Sequence, residues 1–196
     1  MLIDFSRPEA LEDLLDLSVR KNKPIILCTT GYTDEQLNLI KEKSKIIPIF
    51  KSANMSLGIN LLSSLLRKIV PSLYENYDIE IIEKHHNQKL DAPSGTAVTT
   101  LAKIAQNRAP MKQGMEDEYE KIEGARGGEY EGMRVHSVRL PGYVASQEVI
   151  FGGLGQTLPI RHDSISRESF MPGIMLAAKK VQGWKGLLED LENIME

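Results

Sequence analysis

The stretch Glu83–Ala97, EKHHNQKLDAPSGTA, brings His85, His86, Lys89 and Asp91 together just ahead of a proline and a run of small residues. An imidazole titrates near neutral pH and can hand over a proton, and a lysine ammonium can pair with a carboxylate or assist protonation. In an extended segment neighbouring side chains point to opposite sides. His85 and His86 are therefore expected to do different work, one donating a proton and the other reading a ligand. Pro93 is tolerated just before or at a helix start, and Ser94 is a good N-cap. A helix is expected from near Ser94, with Ala97, Leu101, Ile104 and Ala105 on one face. The backbone N–H groups of Gly95, Thr96 and Ala97 would then point outward from the positive end of the helix dipole, a ready seat for a carboxylate or phosphate. Gly95 has no side chain to hold an anion off. The chemistry expected of this stretch is proton delivery to a bound anion.

Other chemistry is open to parts of the stretch. A His–His pair can sit at a metal, and PSGT is a common entry from turn to helix. The remaining histidines, His136 and His162, lie far apart in sequence, and no HExxH or His/Cys spacing occurs, so no metal is expected. A hydrolase holding a metal through His85 and His86 would lack a pattern for its third ligand.

The elements that must position these groups are legible from periodicity. LIDF, KPIILCTTG and KIIPIFKSANMS read as buried strands, and EALEDLLDLSVRKN, TDEQLNLIKEKS and LGINLLSSLLRKIV as helices between and after them. Leu11, Leu14, Leu15 and Val19 fall at helical spacing, and Thr33 with Gln36 has the spacing of a capping box. Such alternation implies a parallel sheet with covering helices, and ligands in these sheets bind beyond the carboxyl ends of the strands. Those ends are Phe5-Ser6-Arg7, Cys28-Thr29-Thr30-Gly31 and Ser52-Ala53-Asn54-Met55, all small or polar except for an aromatic or methionine at the margin. No GxGxxG occurs, so the segment is either a different α/β fold or a dinucleotide-binding fold entered partway. YDIEIIE is expected to be the strand delivering the chain to Lys84. RVHSVRL and SQEVIFGG…QTLPIRH alternate as strands of a mixed sheet, and residues 110–134 read as a loop rich in charge, glycine and methionine.

Composition narrows the class. The chain has 196 residues, is 41% hydrophobic and 26% charged, and carries a net charge of −3, which offers no basic excess to neutralise phosphates and argues against a nucleic-acid partner. Cys28 is the single cysteine, so an intrachain disulfide is excluded. No apolar run approaches the roughly 20 residues that span a bilayer, and the N-terminus does not read as a signal peptide, so a cytoplasmic location and no membrane partner are expected.

Taken together, E-x-H-H-x-x-K-x-D-A-P-S-G-T-A, with IDFSRP, TTG, ANMSLGINLL, SVRLPG, EVIFGGLGQTLPIRHDSISRESFMPGI and a closing helix with Trp184, resembles the dihydrodipicolinate reductase (4-hydroxy-tetrahydrodipicolinate reductase) family of lysine and diaminopimelate biosynthesis. The resemblance implies reduction of a cyclic dicarboxylate imine with NADH or NADPH. It implies that His85 is the general acid/base, Lys89 a second proton donor, and His86 with Gly95 and Thr96 the holders of the substrate carboxylates. It places the nicotinamide against Cys28, Thr29, Thr30, Ser52, Ala53, Asn54 and Met55, with Phe5 and Arg7 nearby, and implies a homotetramer formed through the mixed sheet. The family usually has glycine at Cys28, phenylalanine at Met55 and histidine at Gln147, and the last change is expected to act on the sheet and not on the chemistry. The family's first βαβ segment, with the glycine-rich loop and the residue choosing between the two nicotinamides, does not appear in this sequence. The expected fold class is α/β (α+β), a partial Rossmann-like parallel-sheet domain followed by a mixed-sheet domain. The expected division is 1–54, completed by a C-terminal helix of about 172–196, for the dinucleotide, and 55–171 for substrate binding and oligomerisation. An alternative is a non-catalytic dicarboxylate-binding, tetramer-forming module that has lost cofactor binding.

Overall fold

In the computed structural model, which describes residues 1–195, the chain forms two compact units. One consists of Met1–Asn60 and the residues from Glu168 onward, the other of Leu61–Arg167.

The first unit is built on a four-stranded parallel sheet of β1 (Leu2–Asp4), β2 (Ile25–Leu27), β3 (Ile49–Lys51) and, beside β3, β9 (Leu187–Glu189). The central strand β2 is Ile-Ile-Leu and β3 opens Ile-Phe, apolar without alternation because both faces are covered there, whereas Ile3 on the edge strand β1 is exposed. Ile25, Leu27, Ile49 and Leu187 turn to one side, where α1 (Leu11–Lys21) and α2 (Asp34–Ser44) supply Leu11, Leu15 and Ile40. Ile26, Phe50 and Leu188 turn to the other, against Ile174, Ala177 and Val181 of α5 (Met171–Val181). The Thr33–Gln36 capping box is present at the start of α2, Thr33 Oγ1 accepting from the Gln36 N–H at 3.3 Å and Gln36 Oε1 from the Thr33 N–H at 3.0 Å. Because all neighbours are parallel, the three strand ends noted from the sequence lie at one edge of the sheet.

The closing segment differs from expectation. It is not one helix from 172 to the C-terminus: α5 stops at Val181, Trp184 lies beyond it, and the chain returns as β9. Gly183 and Gly186 (φ 86°) interrupt the helix, and Leu187 and Leu188 fill the two faces of the sheet as β-residues do.

The second unit carries a five-stranded mixed sheet in the order β5-β6-β4-β7-β8, comprising β4 (Asp78–His85), β5 (Gly128–Tyr130), β6 (Met133–Arg139), β7 (Ala145–Gly153) and β8 (Gln156–Ser164). β4 runs parallel to β6 and antiparallel to β7. Its alternation sets one face, Ile79 and Ile81, into a core with Leu62, Leu66 and Val70 of α3 (Leu57–Leu73) and Ala97, Leu101 and Ile104 of α4 (Gly95–Ala105). On the opposite face Glu80 bonds Arg126 and His136, each at 2.8 Å. The short strand β5 lies inside the stretch read from sequence as loop, and among the described residues no helix is long and apolar enough to cross a membrane.

Gly173 is where α5 comes closest to the backbone near β3. A Cβ there would lie 2.1 Å from the Met55 carbonyl oxygen and 2.7 Å from Leu191 Cδ2, contacts that something must yield to relieve. Gly173→Ala is expected to destabilise the chain by about 1–3 kcal/mol, read as a lower thermal midpoint; an unchanged or higher midpoint would show that this packing gives way freely.

Candidate active site

At the end of β4 the strand's alternation puts a carboxylate where the preceding inward residues are isoleucines. Ile79, Ile81 and Glu83 are all 0% exposed. A carboxylate there requires charge and hydrogen-bond compensation. The parallel register supplies it, because Glu83 pairs with Ser137 of β6 and Arg139 follows on the same face. Arg139 grips Glu83 with both guanidinium nitrogens, Nη2 to Oε1 at 2.6 Å and Nη1 to Oε2 at 2.9 Å. The Ser94 N–H approaches Oε1 at 3.3 Å, and His85, two residues along the strand, meets Oε2 through Nδ1. Burial pushes the Glu83 carboxyl up, but the bonds from Arg139, Ser137 and His85 outweigh it and hold the group below its ordinary value.

His85 is also governed first by burial, which pushes its imidazole below the ordinary value; the Glu83 carboxylate works against this, while the charges of Lys89 and Arg139 add to it. Its side chain is 16% exposed, enough for one ring edge to meet solvent or a ligand. The segment after it is tightly tied. The Lys89 N–H donates to the His86 carbonyl at 3.2 Å, Arg139 Nη2 donates to the Asp91 carbonyl at 2.8 Å, and Lys89 Nζ pairs with Asp91 Oδ1 at 2.7 Å. That bond to Lys89 is the main reason the Asp91 carboxyl lies below its usual range.

α4 begins as the sequence predicts, with Ser94 as N-cap. The cap alters one expectation. The Ala97 N–H donates to Ser94 Oγ at 3.2 Å, so it belongs to the cap and not to an outward-facing anion seat. Gly95 keeps its expected openness: a Cβ built on it would meet nothing within 4 Å. Gln147, buried on β7, donates from Nε2 to Thr100 Oγ1 at 2.8 Å and so ties α4 to the sheet.

The first unit has its own buried carboxylate. Asp4, at the end of β1, accepts from the Ser6 N–H (2.8 Å) and hydroxyl (2.5 Å), from Thr29 Oγ1 (2.9 Å) and from Tyr32 (3.4 Å), tying the first two strand ends together. At the third, Ser52 Oγ donates to the Asn54 carbonyl at 3.0 Å, and the Ser56 N–H donates to Asn54 Oδ1 at 2.8 Å. Cys28 is half-buried, and burial, with Asp4 beside it, raises its thiol to about 12, so it stays protonated near neutral pH. Arg161 pairs with Asp163 at 2.8 Å on the exposed edge strand, and burial lowers His162.

The structure thus brings His85, Lys89 and the Ser94-capped start of α4 to one end of β4, and Cys28, Thr29, Thr30 and Ser52–Met55 to one edge of the parallel sheet. Three residues the sequence reading passed over hold these groups: Glu83, Arg139 and Asp4. For Glu83 the signal was available, an acid in phase with Ile79 and Ile81 on a strand with one buried face. Among the described residues no three His, Cys, Asp or Glu side chains gather into a group that would hold a metal ion.

Comparison with known proteins finds one family in two matches, the second of which runs through the mixed-sheet unit and on into the residues that complete the first. The family description "Dihydrodipicolinate reductase, N-terminus" matches residues 1–55 and "Dihydrodipicolinate reductase, C-terminus" matches residues 58–195. The 4-hydroxy-tetrahydrodipicolinate reductase of Clostridium botulinum (strain Eklund 17B / Type B) is 48% identical over 182 residues, covering 91% of this chain and 69% of that protein. The protein of the same name from Clostridium novyi (strain NT) is 43% identical over 199 residues, covering 100% of this chain and 76% of its own length. The dipicolinate-bound dihydrodipicolinate reductase from Paenisporosarcina sp. TG-14 superposes with a TM-score of 0.87 at 40% identity, covering 99% of this chain and 73% of that one.

The downward shifts of Glu83 and His85 set a pH dependence. A group depressed by folding binds its proton more readily in the unfolded chain, so its stabilisation is full above the unfolded value and is lost as pH falls. Thermal midpoints are expected to drop as pH is lowered through about 6.5 and then about 4.5, the ordinary values of the two groups. His85→Gln should flatten part of the upper decline, His162, also depressed, supplying the rest. A midpoint that holds or rises on acidification would contradict this.

Proposed function

The chain belongs to the dihydrodipicolinate reductase family, and we propose that it reduces 4-hydroxy-tetrahydrodipicolinate, a cyclic dicarboxylate imine, to tetrahydrodipicolinate in lysine and diaminopimelate biosynthesis, taking a hydride from NADH or NADPH and a proton and releasing the 4-hydroxyl as water. What supports this reading is the position of His85, a proton donor anchored on a buried carboxylate beside a capped helix N-terminus.

In this reading the dicarboxylate is held by His86 and by Gly95 and Thr96 at the start of α4, where the helix dipole favours an anion and Gly95 permits its close approach. Lys89 adds a cation that reaches a carboxylate by exchanging its partner Asp91, which is largely exposed and readily solvated. Near neutral pH the depressed His85 rests as a neutral ring. A bound dianion beside it favours the protonated form, so proton uptake should accompany substrate binding and supply the acid that the reaction consumes. Lys89 is the second proton donor.

For the nicotinamide the proposed residues are Cys28, Thr29, Thr30, Ser52, Ala53, Asn54 and Met55. They fit it because small and polar strand ends held open by Asp4 and Ser52 leave backbone within reach of a flat ring. When bound, the cofactor supplies the hydride. The protonated Cys28 thiol offers no competing nucleophile. The first unit is accordingly assigned to the dinucleotide and the second to the substrate. The outer face of the mixed sheet is assigned to a homotetramer, and the cytoplasm is the proposed site of action.

The test is loss of nicotinamide absorbance with enzymatically generated substrate, paired with calorimetry of pyridine-2,6-dicarboxylate in two buffers of different ionisation enthalpy. Turnover is expected, falling about 10²–10⁴-fold in His85→Ala. Dicarboxylate binding is expected with net proton uptake, weakened in Lys89→Ala. Dicarboxylate binding without oxidation of either nicotinamide would overturn the reductase reading.

A further inference from the structure

We propose that Glu83 is the positioning residue for His85: its buried carboxylate fixes the imidazole through Nδ1 and leaves Nε2 as the nitrogen that delivers the proton. This inference rests on the assignment of His85 as the acid.

The geometry gives Glu83 no other outlet. It is 0% exposed, both of its oxygens are engaged, and its contacts run to the three parts of the site: the His85 ring, the Ser94 N–H at 3.3 Å and Arg139 at 2.6 and 2.9 Å. Arg139 in turn bonds the Asp91 carbonyl, two residues from Lys89. Spacing along the strand enforces the arrangement, since residues 83 and 85 share a face and stand close enough for an acid and an imidazole to meet. A carboxylate accepting from one ring nitrogen selects the tautomer and directs the other outward. The proton-bearing atom is thus set by a residue that itself faces the interior.

The opposing explanation is that Glu83 exists only to neutralise Arg139. The two are separable because the charged groups facing His85 are few: Glu83 on its own strand, Arg139 on β6 and Lys89 on the following segment. β7 presents Ala145 opposite it, and Ser94, the N-cap of α4, meets Glu83 through its N–H. Removing Glu83 alone leaves the half-buried Arg139 guanidinium without its carboxylate, with the Val138 and Asp91 carbonyls as acceptors, and can unfold the protein, so the double variant is essential.

The experiment follows the His85 ring proton by NMR against pH in the full chain, in Glu83→Gln and in Glu83→Gln/Arg139→Gln, the signal being assigned by its loss in His85→Gln. With Glu83→Gln, the titration of His85 should move to lower pH, with roughly tenfold weaker proton affinity for the loss of an adjacent carboxylate. The double variant should regain thermal stability while its His85 still titrates below wild type, because the carboxylate touches the ring and the guanidinium lies behind it. The profile of kcat/KM against pH should move with it, with KM little changed. If His85 titrates as in wild type in the double variant, Glu83 serves only Arg139 and the proposal fails. Absence of turnover in every form would instead remove the reductase reading, while the NMR titration still decides the Glu83–His85 coupling.

Discussion

A carboxylate taken out of water must be matched almost bond for bond, and in this chain the match made by Glu83 organises everything around it. Left alone in the interior it would take up a proton and lose its charge. It keeps the charge because Arg139 arrives from the neighbouring strand in a two-pronged grip, the Ser94 amide arrives from a helix start and His85 arrives from the next inward position on its own strand. The pair is of the kind for which removing one partner costs about 3–5 kcal/mol, through the uncompensated charge it leaves. The same pair pins the β4–β6 register, since a slip of one residue would turn Glu83 toward the opposite face and set it away from Arg139.

The two units use a related device at different strength. In the second, a charged pair fixes the His85 ring, the group that the proposed function makes the proton donor. In the first, Asp4 accepts from neutral donors among the described residues, two bonds from Ser6, one from Thr29 and one from Tyr32, which hold two strand ends in place. Parallel strands with both faces buried leave the carboxyl edge as the place where backbone is available to a ligand. Small side chains there make sense as clearance, and one carboxylate spanning two ends keeps that clearance from collapsing.

Much of this was legible in the residues. The apolar runs of β1, β2 and β3, the Thr33–Gln36 box and the Ser94 cap are local signals, settled within a few positions, and the structure bears them out. The HHxxK…PSGT stretch is local in the same way, and the structure sets His85, Lys89 and the Ser94 cap at one end of β4. What escaped was set by tertiary pairing. β9 is a short strand after two glycines whose β character comes from the open side of β3. Glu83 and Arg139 are 56 positions apart, and neither announces the other. The loss of Ala97 from the anion seat is a local consequence of Ser94 capping that the sequence reading named without following through.

The most direct measurement on this account is the tautomer of the neutral His85 ring, read from its ring nitrogen shifts in uniformly ¹⁵N-labelled protein above its titration. If Glu83 holds the ring as described, the neutral form carries its proton on Nδ1 and Nε2 is bare. A neutral ring protonated on Nε2, or one exchanging freely between both forms, would contradict the central claim that the buried carboxylate sets the geometry of proton delivery.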